Sequence, residues 1–253
     1  MTEASQLHKT SPHVRGEPRL GPIYPLAGEM VRGTRLVVPR RTARPSYMKE
    51  INLLIILDAF RAAGTLSRAA VARSTGISAP TASKSVQQLV DAGLLVEDGR
   101  DAGNIGKPAT RIRFNAACGA VLGIDLGGTH LRLAVSDLSG SIKGRSLEAI
   151  DPEAGPAAIL ARINELGNRL LNETGQSVMA IGLATPGIVN TEAGTVIAAR
   201  NLKGWHDVPI KRMLEDNFGV PAVVENDVNA AALGERWHGA ARGHDSFLFV
   251  SIG

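Results

Sequence analysis

The sequence predicts an α/β protein in which a winged helix-turn-helix domain precedes a second domain with an open sheet. Three observations predict this. Three short helical segments and a glycine-rich hairpin come first, a strand–Gly-Gly–strand unit follows, and strands then alternate with helices. The chain has 253 residues, which is enough for two domains with cores of their own. Aromatic residues make up only 4% of it, so we expect aliphatic cores.

The composition excludes several classes of protein. No stretch approaches the roughly 20 consecutive apolar residues that a membrane span needs, and the N-terminus lacks the apolar segment of a secretion signal. We therefore expect a soluble, cytoplasmic protein with no membrane partner. The single cysteine, Cys118, excludes an internal disulfide and a Cys-rich zinc cluster, and we predict no metal site.

Charge is distributed unevenly along the chain. Residues 1–47 carry eight basic and three acidic side chains together with six prolines, and they show no hydrophobic period. We expect a disordered basic arm, which is either a solvated leader or a source of nonspecific phosphate contacts. Residues 48–116 have a net charge of +3 and residues 117–253 a net charge of −4. This distribution fits a DNA-binding domain joined to a domain with a different function.

Residues 48–116 have the pattern of a winged helix-turn-helix. Gly64 ends a first helix whose apolar positions are Ile51, Leu54, Ile55, Leu57, Ala59 and Phe60. A second helix spans Arg68 to Ser74 after Thr65-Leu66-Ser67, which offers a capping hydroxyl, and Gly76 suits the tight turn that follows. A helical hairpin packed for structural reasons alone would also show the first two helices.

The third helix is the candidate DNA-recognition element. It begins near Ser78 with Pro80 in its first turn, and one face directs Ala82, Val86, Leu89 and Val90 to the core. The opposite face presents short polar and basic side chains suited to phosphates and base edges. These candidate DNA-binding residues are Ser78, Thr81, Ser83, Lys84, Gln87 and Gln88.

A β-hairpin wing follows the third helix. Its strands are residues 92–97 and 111–115, and residues 99–108 form the tip. Arg100 and Lys107 lie in that tip, where a long cation can reach the phosphate backbone or the minor groove.

The second domain opens with a candidate phosphate loop. A buried strand over residues 121–126 leads into Gly127-Gly128-Thr129 and then into an alternating strand. Backbone N–H groups of the glycines and the Thr129 hydroxyl can donate to an oxyanion, and Asp125 can hold magnesium through water. An ordinary hairpin turn would also explain the glycine pair.

Further strands and helices alternate after this loop. The predicted strands are 141–148, 178–183 and 222–224, and the predicted helices are 156–174, 209–217 and 228–238. Glu225-Asn226-Asp227 lies between the last strand and helix, where ligand groups gather in open α/β sheets.

Four motifs resemble those of the ROK family (repressor, open reading frame, kinase). They are Gly123-Ile124-Asp125-Leu126-Gly127-Gly128-Thr129, Ala184-Thr185-Pro186-Gly187, Asn201-Leu202-Lys203-Gly204-Trp205 and Glu225-Asn226-Asp227-Val228-Asn229-Ala230-Ala231. The preceding winged helix-turn-helix, with Gly106-Lys107-Pro108 where the family often has Gly-Arg-Pro, resembles the regulator branch. The resemblance implies an actin-like, ribonuclease-H-like sugar-kinase fold.

The resemblance also implies roles for particular residues. Asp227 matches the catalytic base, Asn226 matches a hydrogen-bonding partner of the sugar, and Gly187 and Asn201 match positions near the sugar pocket. The phosphate loop matches Asp125, Gly127, Gly128 and Thr129. A helix N-cap is the alternative role for Asp227.

The family's second lobe supplies another phosphate loop, an adenosine pocket and a Cys/His zinc site, none of which has a counterpart in this sequence. We interpret residues 117–253 as the first lobe plus one strand of the second, Ser246 to Ile252, with an exposed apolar edge. In the family, sugar and ATP meet in a cleft between the two lobes. One lobe alone cannot orient both substrates, so we expect no useful kinase activity.

The leading functional hypothesis is a DNA-binding repressor of sugar metabolism that responds to a sugar or sugar phosphate and binds operator DNA as a homodimer or higher homo-oligomer. The alternative is an ATP-dependent hexose kinase resembling glucokinase, and only then are ATP and Mg expected as cofactors. An inert remnant is a third hypothesis.

Overall fold

The computed structural model describes residues 45–100 and 109–251. Most of the predicted basic arm and most of the wing tip, including Lys107, lie outside the described residues. Residues 45–47, assigned to the arm from the sequence, begin helix α1, Pro45–Ala63.

Helix α1 contributes Ile56 and Phe60 to the first core, where both are fully buried. The inward face differs from the prediction by one position, because Ile55, expected inside, is 42% exposed. Residues 53–57 are all apolar, so the hydrophobic period alone does not determine which of them faces inward. Gly64 ends the helix with a φ of +75°.

The next two helices follow the predicted pattern. Helix α2 is Arg68–Thr75 and helix α3 is Ala79–Asp91. Ser67 Oγ caps α2 by accepting from the Ala70 N–H at 3.2 Å, and Gly76 makes the turn with a φ of +71°. Ala82, Val86 and Leu89 of α3 are buried, as predicted from its apolar face.

The wing is part of a three-stranded antiparallel sheet. Its strands are β1 Thr65–Ser67, β2 Leu95–Arg100 and β3 Thr110–Phe114, in the order β1-β3-β2. The sequence predicts the hairpin but not β1, because three residues are too few to show a strand period.

The second domain is built on a five-stranded sheet. Its strands are β4 Ala120–Leu126, β5 His130–Asp137, β6 Ile142–Ala149, β7 Val178–Thr185 and β11 Ala222–Asn226. Their order is β11-β7-β4-β5-β6, with β7 parallel to both β4 and β11 and with β5 antiparallel to β4 and β6. Helix α4, Gly155–Thr174, packs Ile163 and Leu166 into the core of this sheet.

A smaller sheet and two helices lie between β7 and the end of the described chain. They are β8 Ile188–Asn190, β9 Thr195–Ala198, β10 His206–Val208, α5 Ile210–Phe218 and α6 Asp227–His238. The sheet, ordered β10-β9-β8, is absent from the sequence prediction because its strands have only three or four residues.

The two domains are joined by a short connection that is hydrogen-bonded to each of them. It contains a 3₁₀ turn, Ala116–Cys118, between β3 and β4. The Asn115 N–H donates to the Leu94 carbonyl at 2.9 Å, and the Leu138 N–H donates to the Ala116 carbonyl at 3.0 Å. The connection is therefore anchored to the wing and to the turn after β5.

The predicted strand Ser246 to Ile252 does not form in the described residues, which extend here to Ser251. Leu248 is 87% exposed and Val250 is 65% exposed. A strand needs a hydrogen-bonded neighbour, and no described strand pairs with this segment. In the described part of the chain, no helix has both the length and the hydropathy of a membrane span.

Candidate functional site

Helix α3 presents the predicted polar face to solvent. Ser78, Thr81, Ser83, Lys84 and Gln87 are exposed, and Gln88 is half-buried. The Ser78 hydroxyl donates to Thr81 Oγ1 at 2.9 Å, which joins the first turn of the helix to its cap. The face is polar along its length, as contact with phosphates and base edges requires.

Two residues outside the predicted set contact this face. Arg68, at the start of α2, donates to Gln87 Oε1 at 2.8 Å, and Gln87 Nε2 donates to Asp91 Oδ1 at 2.8 Å. The i,i+4 spacing of Gln87 and Asp91 was visible in the sequence as a stabilising helical pair. The contact with Arg68 joins residues nineteen positions apart, and nothing local in the sequence indicates it.

The wing carries further cations on β3. Arg113 lies 3.8 Å from Asp98 on β2, an exposed pair of little energetic weight. The side chains of Arg100 and Lys107, both predicted to contact DNA, lie outside the described residues.

The candidate phosphate loop is a tight turn between β4 and β5. The Gly127 N–H donates to the His130 carbonyl at 2.8 Å, as in an ordinary hairpin. Thr129 Oγ1 lies 2.8 Å from His130 Nδ1, and Arg132 Nη1 donates to Asp125 Oδ2 at 3.0 Å. Asp125 thus has a cationic partner that the sequence pattern did not indicate.

Asn201 lies directly against this loop. A Cβ on Gly128 would come within 2.9 Å of Asn201 Nδ2, so a larger residue would displace the Asn201 side chain. Two residues separated by more than seventy positions in the sequence, one predicted for phosphate and one for sugar, are thereby adjacent.

Gly187 forms the other side of the same surface. Its φ is +94°, and a Cβ there would lie 2.1 Å from the Ala198 carbonyl oxygen and 2.8 Å from the Ala199 Cα. An open depression of about 390 Å³ lies at Gly187. It is lined by Gly187, Ile188, Ala198, Arg200 and Asn201. Two predicted sugar-side residues therefore share one concavity with the exposed cation of Arg200.

Asn226 connects this surface to helix α6. Its Oδ1 accepts from the N–H groups of Val228 and Asn229 at 3.0 and 3.3 Å, and its Nδ2 donates to the Gly187 carbonyl at 3.1 Å. The N-cap of α6 is thus Asn226, and the alternative that assigned this role to Asp227 is wrong. Asp227 is the first helical residue, and its Oδ1 accepts from the Val228 N–H at 2.9 Å.

Metal-ligating side chains do not cluster in the described ranges. Within residues 45–100 and 109–251, no group of three or more His, Cys, Asp and Glu side chains is placed to hold a metal ion.

Similarity to known families covers both domains. Residues 121–253 match the ROK family and residues 54–102 match the MarR family. The xylose repressors of Bacillus subtilis strain 168 and Caldicellulosiruptor bescii are each 27% identical to this chain, over 213 and 211 residues. Those alignments cover 83% and 82% of this chain and 55% and 53% of the respective repressors. The chain spans about half the length of these curated relatives.

The second domain alone is also similar to kinases. A glucokinase of Streptomyces coelicolor is 35% identical over 137 residues, which is 53% of this chain and 41% of that protein. A crystal structure described as a ROK family transcriptional regulator, a homolog of the Mlc protein of Escherichia coli, matches with a TM-score of 0.66. It is 23% identical and covers 76% of this chain and 49% of its own, which shows a shared fold. Because the ROK match covers more than half of its length, this chain belongs to the ROK family.

Proposed function

We propose that this protein is a DNA-binding transcriptional repressor that responds to a sugar or sugar phosphate. The observation that carries the proposal is the exposed polar face of α3, with Lys84 on it, presented by a winged helix-turn-helix next to a ROK domain. Similarity to xylose repressors extends across both domains, whereas similarity to glucokinases covers only the second.

The DNA-binding part has the chemistry of major-groove recognition. Lys84 supplies a cation for phosphate, and the hydroxyl and amide side chains around it offer donors and acceptors to base edges. A single module covers few base pairs, so we infer that two copies bind a two-fold symmetric operator in the cytoplasm.

The depression bounded by Gly187 and Asn201 is our candidate for the sugar site. Asn201 supplies an amide group and Arg200 a cation to its lining, and these suit the hydroxyl groups of a sugar. Asn226 is connected to the edge of the depression by its hydrogen bond to the Gly187 carbonyl, and Asp227 follows it in the chain. A sugar regulates DNA binding only if it binds one conformation of the protein more tightly than another. Xylose is the first candidate, since the similar repressors are named for it.

The experiment is a titration of labelled promoter fragments with the full chain at two salt concentrations, with and without xylose and other sugars. We expect sequence-selective binding that weakens with salt and shifts when one sugar is added. Equal affinity for all fragments at both salt concentrations would contradict the proposal.

The competing candidate is an ATP-dependent hexose kinase. The retained Asp125–Thr129 loop favours it, as does Asp227, whose carboxylate is not the helix cap. Asp125 is the candidate magnesium ligand, but its Oδ2 accepts from Arg132, and that ion pair would have to open before Oδ2 faced a metal. ADP release in the presence of hexoses, abolished by Asp227→Asn, would establish the kinase instead.

A further inference from the structure

The Gln87 amide on α3 is held by two hydrogen bonds that together fix which way it points. Arg68 Nη2 donates to Oε1 and Nε2 donates to Asp91 Oδ1, both at 2.8 Å. A guanidinium has only donors and an ionised carboxylate only acceptors, so a flipped amide would lose both bonds. Arg68 and Asp91 therefore determine which atom of the Gln87 amide accepts a hydrogen bond and which atom donates one.

Each partner is placed by its own element. Asp91 lies one turn beyond Gln87 on α3, at the spacing at which a Gln–Asp pair stabilises a helix. Arg68 begins α2, and its side chain is only 30% exposed and lies 3.8 Å from Glu97 on β2. Helix α3 itself, helix α2 and, through Arg68, strand β2 thus contribute to holding one amide.

The network leaves half of the hydrogen-bonding capacity of the amide unused. Oε1 has two acceptor positions and Nε2 has two N–H groups, and Arg68 and Asp91 take one of each. Gln87 has no further hydrogen bond among residues 45–100 and 109–251. One acceptor position on Oε1 and one N–H on Nε2 therefore remain without a protein partner on a side chain that is exposed.

This arrangement matches one base better than the others. In the major groove adenine offers the N7 acceptor beside the N6 donor, and a glutamine amide pairs with both. Guanine offers two acceptors, O6 and N7, which an amide with one acceptor and one donor cannot satisfy together. An amide held in place also loses less conformational freedom when it binds.

We propose that Arg68 and Asp91 are positioning residues that hold Gln87 as a reader of adenine at one position of the operator. This inference rests on the proposed DNA-binding function, and it identifies one base and the side chain that selects it. Gln87 would contact the base, whereas Asp91 would act only through Gln87.

The test is selection of bound sequences from a random duplex DNA pool, with the full chain and four variants. The variants are Gln87→Ala, Arg68→Ala, Asp91→Ala and Asp91→Asn. The two Asp91 variants lose the same negative charge, but only asparagine keeps an acceptor for Gln87 Nε2. Their comparison therefore separates the hydrogen bond from the charge.

We expect the wild-type chain to enrich a motif with adenine at one defined position. Gln87→Ala, Arg68→Ala and Asp91→Ala should each reduce the preference for adenine at that position about tenfold, with the rest of the motif kept. Asp91→Asn should retain the preference. Asp91→Ala should also leave the salt dependence of binding equal to that of Asp91→Asn, because both lack the same charge.

Two results would overturn the inference. One is a Gln87→Ala chain that enriches the wild-type motif unchanged, and the other is identical base preference in Asp91→Ala and Asp91→Asn. A wild-type chain that enriches no motif would overturn the proposed function itself, and this outcome is distinct from both. Thermal unfolding of each variant, monitored by circular dichroism, identifies any loss of specificity that is due to loss of fold.

Discussion

Single residues at the edges of strands hold the candidate site in shape. Gly187 adopts a φ of +94°, which L side chains rarely tolerate, and its Cα faces the backbone of Ala198 and Ala199. At the nearby Gly182, on β7, an added Cβ would meet no atom within 4 Å beyond its own chain neighbours. The two glycines therefore make a matched pair of test positions.

Gly187→Ala should destabilise the second domain by about 1–3 kcal/mol or more, because the added methyl group overlaps backbone and φ is positive. It should also abolish sugar binding if the depression is the sugar site. Chemical denaturation and calorimetric sugar titration measure the two effects. Gly182→Ala is the control, and equal stability losses in the two variants would contradict this explanation.

Asp137 is a buried carboxylate held by one cation and several donors. Burial alone would raise its pKa, but Lys143, at 2.8 Å, and hydrogen bonds from Ser139 and Ser141 outweigh burial and lower the pKa to about 2. A lowered pKa in the folded state stabilises the protein above the unfolded value near 4. This contribution is lost as the pH falls from about 4 to about 2.

Asp137→Ala should lower the free energy of unfolding at neutral pH by about 1–3 kcal/mol, because the donors around it lose their acceptor. The variant should also show a shallower loss of stability between about pH 4 and about pH 2. Denaturant unfolding at a series of pH values tests both statements. Parallel curves for the variant and the wild type would show that Asp137 is not the titrating group.

At the scale of the element, helix α6 is fixed at its start by the two sides of one amide. The Oδ1 of Asn226 caps the helix while its Nδ2 reaches the Gly187 carbonyl. One side chain thus joins the last strand, the last helix and the loop after β7.

Asn226→Ala should reduce stability by about 1 kcal/mol through loss of the cap. Asn226→Asp keeps the capping oxygen but cannot donate to Gly187, so it should retain most of the stability while weakening sugar binding. Thermal unfolding and sugar titration of the two variants separate the roles. Equal melting temperatures for both variants would mean that the cap contributes little.

A prediction at helix α3 concerns the contribution of Lys84 to the salt dependence of DNA binding. Lys84→Ala should weaken DNA binding on all sequences and reduce the slope of log K against log salt by about one unit, if the ammonium contacts one phosphate. Arg212→Ala on α5, at a side chain that is 83% exposed in the other domain, is the matched loss of charge and should leave the slope unchanged. An unchanged slope in Lys84→Ala removes that residue from the interface.

The helices were predictable from the sequence where caps and apolar periods coincide, as at Gly64, Ser67 and Gly76. Which residues of α1 face the core could not be predicted, because the five consecutive apolar residues 53–57 fit two different faces of the helix. Strands of three residues, such as β1 and β8, form because neighbouring backbone is available for pairing, and this is a property of tertiary structure.

The sequence proposes residues for the candidate site but does not indicate which of them contact one another. Asn201 against Gly128 and Asn226 against Gly187 are contacts between distant segments, and so is the pair of Arg68 and Gln87. The sequence pattern assigned the capping alternative to Asp227, and only the backbone geometry shows that Asn226 is the cap of α6.

At the scale of the whole molecule, the described chain has two separate hydrophobic cores. Phe60 is fully buried in the core of the winged domain, and Leu166 is fully buried under the large sheet. Two cores with few shared contacts favour two unfolding transitions over one.

Leu166→Ala should destabilise the second domain by about 2–5 kcal/mol, and Phe60→Ala should destabilise the winged domain by about 3–5 kcal/mol. Differential scanning calorimetry should show one transition shifting in each variant while the other stays in place. A common shift of all heat absorption in both variants would show that the domains unfold as one unit.

The hydrogen bonds at Asn115 and Ala116 mean that the winged helix-turn-helix domain is not attached through a flexible linker. A spacer with free rotation would let the sheet rearrange without moving the wing. Here the Asn115 N–H is bonded to the Leu94 carbonyl and the Ala116 carbonyl to the Leu138 N–H, so we expect a displacement of the turn after β5 to move the base of the wing as well. We expect the insertion of a few glycines after Asn115 to remove this coupling.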